Sequence, residues 1–126
     1  MAIEGENQYE VNRDQGILPA KNYRESQQFY QDLGFALKSV DDEVAYFCHD
    51  NCAFLLQNFY HEELANHLMM HLLVENLDDW WAHVQSQAIA AKYAVRLVPP
   101  TVQPWGMRDF VVVDPSGVLW RIGENI

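Results

Sequence analysis

Near the middle of the chain lies a cluster of side chains that could ligate a metal ion. The cluster consists of His61, Glu62, Glu63, His67 and His71. Imidazole and carboxylate groups are common ligands of zinc and related ions. On a strand, His67 and His71 would lie about 13 Å apart, which is too far to share one ion. A metal site therefore requires residues 61–67 to bend into a loop. The alternative, which we favour, is a solvated acidic connection.

His71 itself falls in an apolar strand pattern, 68–75. Side chains alternate between the two faces of a strand, and here the apolar positions Leu68, Met70, Leu72 and Val74 form the predicted core face. Met69, His71 and Leu73 then face the other way. Two interpretations of His71 stay open, a hydrogen-bonding residue of a cavity and a satisfied core histidine.

Asp109 and Arg121 are the second pair with usable chemistry, on two predicted strands joined by the turn Asp114-Pro115-Ser116-Gly117. Proline at the first central position and glycine at the left-handed position are typical of a tight hairpin. In this register Val111 faces Arg121, and Asp109 lies on the same, mixed face. A mixed face is typical of a cavity wall. The pair is either a ligand clamp or, as we favour, a salt bridge that fixes the hairpin.

Trp105 lies between Pro104 and Gly106, just before the first strand of this hairpin. An indole held on a stiff loop is a stacking platform for a flat or cationic ligand. Packing of Trp105 against a partner subunit is the equally weighted alternative.

Other catalytic patterns are missing from the sequence: we find no nucleophile elbow, phosphate-binding glycine loop or dinucleotide fingerprint. Cys48 and Cys52 fall in apolar strand patterns, where we expect reduced, buried thiols. The sequence therefore predicts neither a catalytic residue nor a cofactor.

The predicted elements that position these residues follow the same order twice. Each half begins with a strand and a helix, whose N-caps are Asn22, followed by Glu25, and Asn76, followed by Asp79. In the first half, the predicted strands are 16–20, 35–40, 44–48 and 52–58. In the second half, they are 68–75, 93–98, 108–113 and 118–122, with chain breaks at Pro99-Pro100 and Gln103-Pro104.

The charge balance limits the partners. The 126 residues include 8 Lys and Arg against 18 Asp and Glu, for a formal net charge of −10. This charge argues against nucleic acid and against an anionic membrane surface, and it favours a neutral or cationic partner. The alternative, which the charge alone favours, is that the acidity only keeps the protein in solution. The sequence shows neither a signal peptide nor an apolar run long enough to span a membrane, so we expect a cytoplasmic protein.

The most specific segment runs from Gln103 to Gly123 and resembles the last hairpin of the vicinal-oxygen-chelate superfamily, which includes glyoxalase I, extradiol dioxygenases and bleomycin resistance proteins. Its Pro-Trp-Gly-x-Arg-Asp-Phe stretch at 104–110, followed by Asp-Pro-x-Gly at 114–117, is most similar to the bleomycin-resistance branch. The stretch Phe-Tyr-x-x-Leu-Gly-Phe at 29–35 matches the signature of the first module. The resemblance covers residues 15–123.

This resemblance implies an α+β fold, in which two βαβββ modules form a curved mixed or antiparallel sheet with the helices outside. The boundaries would be an N-terminal arm at 1–13, a first module at 14–60, a connection at 61–66 and a second module at 67–126, within one domain. It also implies a homodimer with exchanged modules and ligand grooves between the subunits.

The resemblance and the strand alternation together assign the residues of the groove. The predicted ligand-binding residues are Gln15, Gln57, Met69, His71, Trp105, Asp109, Val111 and Arg121. Enzymes of the superfamily hold a divalent ion with His and Glu side chains from four strands. The corresponding positions here are Gln15, Leu55, Met69 and Arg121. Leucine and methionine do not bind such an ion and arginine cannot lose its proton, so we predict no metal.

Three functions follow as hypotheses. The first, which we favour, is a metal-free protein that sequesters a flat or cationic drug-like ligand, such as bleomycin, and so confers antibiotic resistance. The second is a metal-dependent enzyme of the glyoxalase or dioxygenase type, with an atypical site in residues 61–67. The third is a binding module for another small molecule, either an endogenous metabolite or a different antibiotic.

Overall fold

A computed structural model describes residues 16–50 and 52–126, which form eight strands and four helices. In chain order these are β1 (Ile17–Pro19), α1 (Tyr23–Leu33), β2 (Ala36–Val40), β3 (Val44–His49), β4 (Cys52–Gln57), α2 (Glu62–His67), β5 (Met69–Leu73), α3 (Leu77–Ser86), α4 (Ile89–Tyr93), β6 (Leu97–Gln103), β7 (Met107–Val113) and β8 (Leu119–Asn125). The predicted arm at 1–13 and Gln15 lie outside the described residues.

The strands form two four-stranded mixed sheets with the same topology. The first has the order β1-β4-β3-β2 and the second has the order β5-β8-β7-β6. In each sheet the first strand of the half runs parallel to the last strand, and the other neighbours are antiparallel. The expected α+β arrangement of two βαβββ units is confirmed.

The two main helices begin at the predicted caps. The Asn22 side chain accepts a hydrogen bond from the Glu25 backbone N–H, and Asn76 accepts one from that of Asp79, each at 3.1 Å. These bonds satisfy backbone donors that have no partner within the helix. Gly34 ends α1 with φ 127°, which an L-residue rarely adopts, and its N–H donates to the last turn of the helix.

One hydrophobic core joins the two halves. Tyr30 of α1 packs edge-on against Phe54 of the first sheet and Trp120 of the second, with ring centroids 4.8 and 5.8 Å away. The Trp120 indole donates to the Tyr30 hydroxyl at 2.9 Å, and that hydroxyl donates to the Asp114 carboxylate. Burial and the adjacent carboxylate raise the pKa of Tyr30 well above its usual value. The repeated halves therefore fold around shared contacts.

The segment after α3 differs from the prediction. Residues 93–98 were predicted as a strand ending before the prolines, but Ile89–Tyr93 is helical, and β6 runs from Leu97 through Pro99 and Pro100 to Gln103. β6 is an edge strand, and its register with β7 shifts between Val98 and Thr101. Prolines are tolerated there because an edge strand and a bulge leave backbone positions without a ladder hydrogen bond.

The connection also has more structure than expected. Residues 61–66 were predicted as a solvated connection, whereas Glu62–His67 is a short helix capped by the His61 side chain. None of the helices in the described part of the chain has the length and apolar character of a membrane span.

Candidate functional site

α1 packs on one face of the first sheet and α3 on one face of the second, and we call the opposite face of each sheet its open face. The open face of the first sheet includes Ile17, Val44, Tyr46, Cys48, Ala53, Leu55 and Gln57, together with Ala36 and Ser39 of the edge strand β2. The open face of the second sheet includes Met69, His71, Leu73, Asp109, Val111, Leu119 and Arg121, together with Val98 and Thr101 of the edge strand β6 and Met107, Val113 and Asn125 at strand ends. Ile17, Met69 and Leu73 are 52%, 53% and 61% exposed. Each open face therefore exposes large apolar side chains, which are typical of interaction surfaces where they form a contiguous patch.

Asp109 and Arg121 form an ion pair on the open face of the second sheet. Arg121 Nη1 donates to Asp109 Oδ1 at 3.3 Å and to Oδ2 at 3.2 Å. The Gln103 amide adds a third hydrogen bond to the Asp109 carboxylate, to Oδ1 at 3.0 Å. Asp109 is only 3% exposed, so three hydrogen bonds compensate for the burial of its charge. The salt bridge that we favoured from the sequence is present.

Trp105 stands beside this ion pair. It lies in the tight turn between β6 and β7, where Gly106 has φ 84° and donates its N–H to the Gln103 carbonyl at 3.2 Å. The Arg121 guanidinium lies 5.7 Å from the centroid of the Trp105 ring, within the range of a cation–π contact. Trp105 is nevertheless 55% exposed, so much of its ring remains accessible.

The strand register brings most of the predicted ligand-binding residues onto this same open face. His71 and Val111 flank Arg121 directly, one on each neighbouring strand. Met69 lies two positions before His71 on β5. Gln57 belongs instead to the open face of the first sheet, opposite Val44, and Gln15 lies outside the described residues.

The histidines do not converge on a metal site. The His61 ring accepts a hydrogen bond from the Leu64 N–H at 3.2 Å, and the His67 ring lies 2.7 Å from the Glu63 carbonyl oxygen. His71 is exposed on the open face of the second sheet, so its interpretation as a core histidine is wrong. Within residues 16–50 and 52–126, no three His, Cys, Asp or Glu side chains are arranged to hold a metal ion.

The positions that the resemblance associates with metal ligands also do not fit a metal. Leu55 and Met69 offer no oxygen or imidazole donor, and Arg121 is a cation already paired with Asp109. A guanidinium at a ligand position repels a divalent cation.

The structure also contains a cleft that the sequence did not predict. Its volume is about 850 Å³, and it separates the β3–β4 turn from the end of β5 and the start of α3. His49, Cys52, His71, Trp80 and Glu124 are among the lining residues. Burial and the nearby Cys48 thiol raise the pKa of Cys52 to about 11, so this thiol stays protonated at neutral pH. No periodic pattern connects these distant segments, so only the tertiary fold reveals the cleft.

Comparison with known proteins identifies the family. The family model of the Glyoxalase/Bleomycin resistance protein/Dioxygenase superfamily matches residues 12–122. The chain belongs to this superfamily. The resemblance expected from the last hairpin is therefore confirmed.

Among relatives in this superfamily, a bleomycin resistance protein from Klebsiella pneumoniae is 26% identical over 114 residues, which cover 86% of this chain and 88% of that protein. A bleomycin-binding protein in complex with bleomycin has a similar structure, with a TM-score of 0.75 and 23% identity over 88% of this chain and 96% of that one. TnmS3, an antibiotic-binding protein from Streptomyces sp. CB03234, has a TM-score of 0.71 and 18% identity over 89% and 94% of the two chains. These similarities support the fold.

Proposed function

We propose that this superfamily member binds and sequesters a flat or cationic, drug-like small molecule without chemical turnover. The observation that carries the proposal is Trp105, a half-exposed indole fixed in a tight turn beside the Arg121–Asp109 pair. A rigid aromatic surface next to oriented polar groups is the usual composition of a small-molecule site. The Klebsiella relative, a bleomycin resistance protein, makes an antibiotic the first ligand class to test.

The binding groove would lie between two copies of the chain. Each open face exposes apolar side chains, with Ile17 on the first sheet and Met69 and Leu73 on the second. In a homodimer with exchanged modules, the first sheet of one subunit would face the second sheet of its partner. Gln57 of one subunit would then lie around the same ligand as the second open face of the partner. In a single chain, Gln57 and that face lie on different sheets.

Sequestration is favoured over metal-dependent catalysis by the chemistry of the side chains. Leu55, Met69 and Arg121 replace the His and Glu ligands that the resemblance associates with an enzyme of this superfamily. The strongest cluster of potential ligands, around His61 and His67, is committed to hydrogen bonds within α2. A binding protein without catalytic residues, metal or cofactor fits these side chains best.

The experiment is a titration of the purified chain with metal-free bleomycin, followed by calorimetry and by tryptophan fluorescence. We expect saturable binding of one ligand per chain, and a loss of at least tenfold in affinity in Trp105→Ala, since stacking on an aromatic side chain contributes about 1–3 kcal/mol. Leu64→Ala is the control, because Leu64 is 46% exposed and lies on α2, outside the strands of both sheets.

Doxorubicin and tetracycline, two flat antibiotics, complete the panel and test the hypothesis of a different drug ligand. If none of the three compounds produces heat or a fluorescence change, the proposed function is wrong. Stoichiometric zinc, nickel, iron or manganese in protein purified without chelator would favour the enzyme instead.

A further inference from the structure

Of the acidic side chains in the described part of the chain, only one lies on a strand position of the open faces. On β1, β3 and β4, the open face of the first sheet has no Asp, Glu, Lys or Arg, and the one charged residue of β2 is Lys38, which is exposed at the register shift. The open face of the second sheet has one carboxylate, Asp109, which is 3% exposed and bonded to Arg121 and Gln103. Within residues 16–50 and 52–126, the strands of the two open faces therefore present no carboxylate that is both exposed and unpaired.

The exposed member of the ion pair is the cation. The Arg121 side chain is 26% exposed, against 3% for Asp109. A guanidinium carries five N–H groups on three nitrogens, and Arg121 uses only Nη1 to reach Asp109. Among the described residues, Nε and Nη2 donate to no protein acceptor. The Asp109 contact and the Trp105 ring hold this guanidinium in place.

From this arrangement, and resting on the proposed function, we propose that the ligand is a flat ring system bearing an oxygen acceptor, with Trp105 stacking on the ring and Arg121 donating to the oxygen. A carboxylate or a ring carbonyl satisfies this requirement, and a carboxylate satisfies it best because its hydrogen bonds to a guanidinium are charge-assisted. A ligand whose ring carries an ammonium group instead places a second cation beside Arg121.

The overall charge and this local selectivity act over different distances. A net charge of −10 attracts cations from the surrounding solvent. At physiological salt this attraction is screened beyond a distance of about 8 Å. At contact, the Nε and Nη2 N–H groups of Arg121 can donate to a ligand, whereas both oxygens of Asp109 already accept hydrogen bonds and are shielded from solvent. Selectivity for the acceptor is therefore expected in spite of the acidic protein.

Two probes with the same ring and opposite charge test the proposal. Anthracene-9-carboxylate and 9-(aminomethyl)anthracene are titrated into the full chain in 150 mM salt, and energy transfer from tryptophan to the anthracene reports binding. We expect the carboxylate to bind at least tenfold more tightly than the ammonium compound. Trp105→Ala should weaken both probes.

Variants distinguish the contribution of Arg121 to the preference for the carboxylate from the effect of the overall charge. Asp109→Asn/Arg121→Gln removes both charges together, so no buried charge is left unpaired, and it should abolish the preference for the carboxylate while keeping ring binding. Arg121→Lys keeps the charge but loses the planar fork and should reduce the preference. Arg24→Gln, at an exposed position on α1, removes one positive charge elsewhere and should leave the preference unchanged.

Thermal unfolding verifies that each variant is folded. Equal affinities for the two probes, tighter binding of the ammonium compound, or a preference that survives Asp109→Asn/Arg121→Gln each overturns this proposal. If neither probe binds but bleomycin does, this proposal is wrong and the proposed function stands. If the probes and the whole antibiotic panel fail to bind, both are wrong.

Discussion

Equivalent positions on the two open faces can be matched, because both sheets follow the same hydrogen-bonding register. Ile17 pairs with Leu55 in the first sheet as His71 pairs with Arg121 in the second. The matched positions are Ile17 and His71, Leu55 and Arg121, and Val44 and Asp109. Each polar residue of the second face thus corresponds to an apolar residue of the first. One backbone plan thus carries apolar side chains at these three positions of the first face and polar or charged side chains at the matched positions of the second.

The largest effect on stability is expected when Arg121 on the second face is replaced by leucine, the residue at the matched position of the first face. Arg121→Leu leaves the buried Asp109 carboxylate without its cation and should lower the free energy of unfolding by about 3 kcal/mol. The double variant Asp109→Leu/Arg121→Leu should recover most of this loss, because no unpaired buried charge remains. Urea unfolding measures both. A single variant as stable as the parent protein would show that the ion pair is not needed.

A second contrast concerns the turns that close the last hairpin of each half. Asp114 is buried and accepts hydrogen bonds from Tyr30 and from the Ser116 and Val118 backbones, whereas Asp50 is exposed with φ 51°. Asp114→Asn removes one acceptor oxygen and should cost about 2 kcal/mol. Asp50→Asn should change stability by less than about 0.5 kcal/mol, because asparagine tolerates the left-handed conformation.

The cost of Asp114→Asn should depend on pH. Burial raises the pKa of Asp114 above its usual value, despite the hydrogen bonds that it accepts. Because the pKa of Asp114 is raised on folding, its contribution to the free energy of unfolding is complete below the unfolded-state pKa. This contribution declines as the pH rises through the folded-state pKa. The stability gap between the parent protein and Asp114→Asn should therefore be wider at pH 3 than at pH 7. A gap that narrows on acidification would contradict the assignment.

The third prediction asks whether the two open faces cover each other in a dimer. Leu73→Asp on the second face and Ile17→Asp on the first should each weaken the dimer about tenfold, which corresponds to 1.4 kcal/mol. Leu64→Asp on α2, where Leu64 is 46% exposed, is the matched control. Sedimentation velocity over a range of concentrations measures the dissociation constants. A monomeric parent protein, or equal effects in all three variants, would rule out this interface.

The smallest effect concerns equivalent positions in the main helices, Asp32 in α1 and Ser86 in α3. Asp32 accepts hydrogen bonds from Lys92 and Tyr93, whereas the Ser86 hydroxyl bonds only within its own helix, to His83. Burial works to raise the pKa of Asp32, but the hydrogen bonds from Lys92 and Tyr93 outweigh it and hold the pKa below its usual value. Asp32→Asn should cost less than about 1 kcal/mol at pH 7, and Ser86→Ala still less.

Because the pKa of Asp32 is lowered on folding, the contribution of Asp32 to the free energy of unfolding is present above the unfolded-state pKa. This contribution is lost as the pH falls through the folded-state pKa. The difference in stability between the parent protein and Asp32→Asn should shrink below pH 4, opposite in direction to that of Asp114→Asn. Unfolding curves at pH 3 and pH 7 for both variants reveal the contrast. A difference that does not vary with pH would mean that Asp32 contributes only packing.

The features that the sequence predicted depend on local rules. The Asn22 and Asn76 caps follow from residue type and spacing, and the alternation in β5 and in the last hairpin assigns Asp109 and Arg121 to one face. The ion pair could be predicted because the turn at Asp114 fixes the hairpin register within a few residues.

The features that the sequence did not predict depend on tertiary context. β6 continues through Pro99 and Pro100 because it lies at a sheet edge, and no local pattern reveals an edge. The stacking of Trp105 on Arg121 depends on a turn conformation that lies outside strand periodicity. The cleft at His49 and Trp80 joins segments far apart in the chain. Contacts of this kind determine how a site selects its ligand.

The link between Tyr30 and Trp120 has a consequence for the order of events during synthesis. These residues are separated by 90 positions, and the ring of Tyr30 contacts both sheets. While the ribosome is still making the second half, the emerging first half exposes the aromatic surface that Trp120 will later cover. The nascent chain cannot complete its core until the final hairpin has left the exit tunnel. The duplicated modules therefore mature as one unit, and a chaperone that shields Tyr30 and Phe54 until then would aid folding.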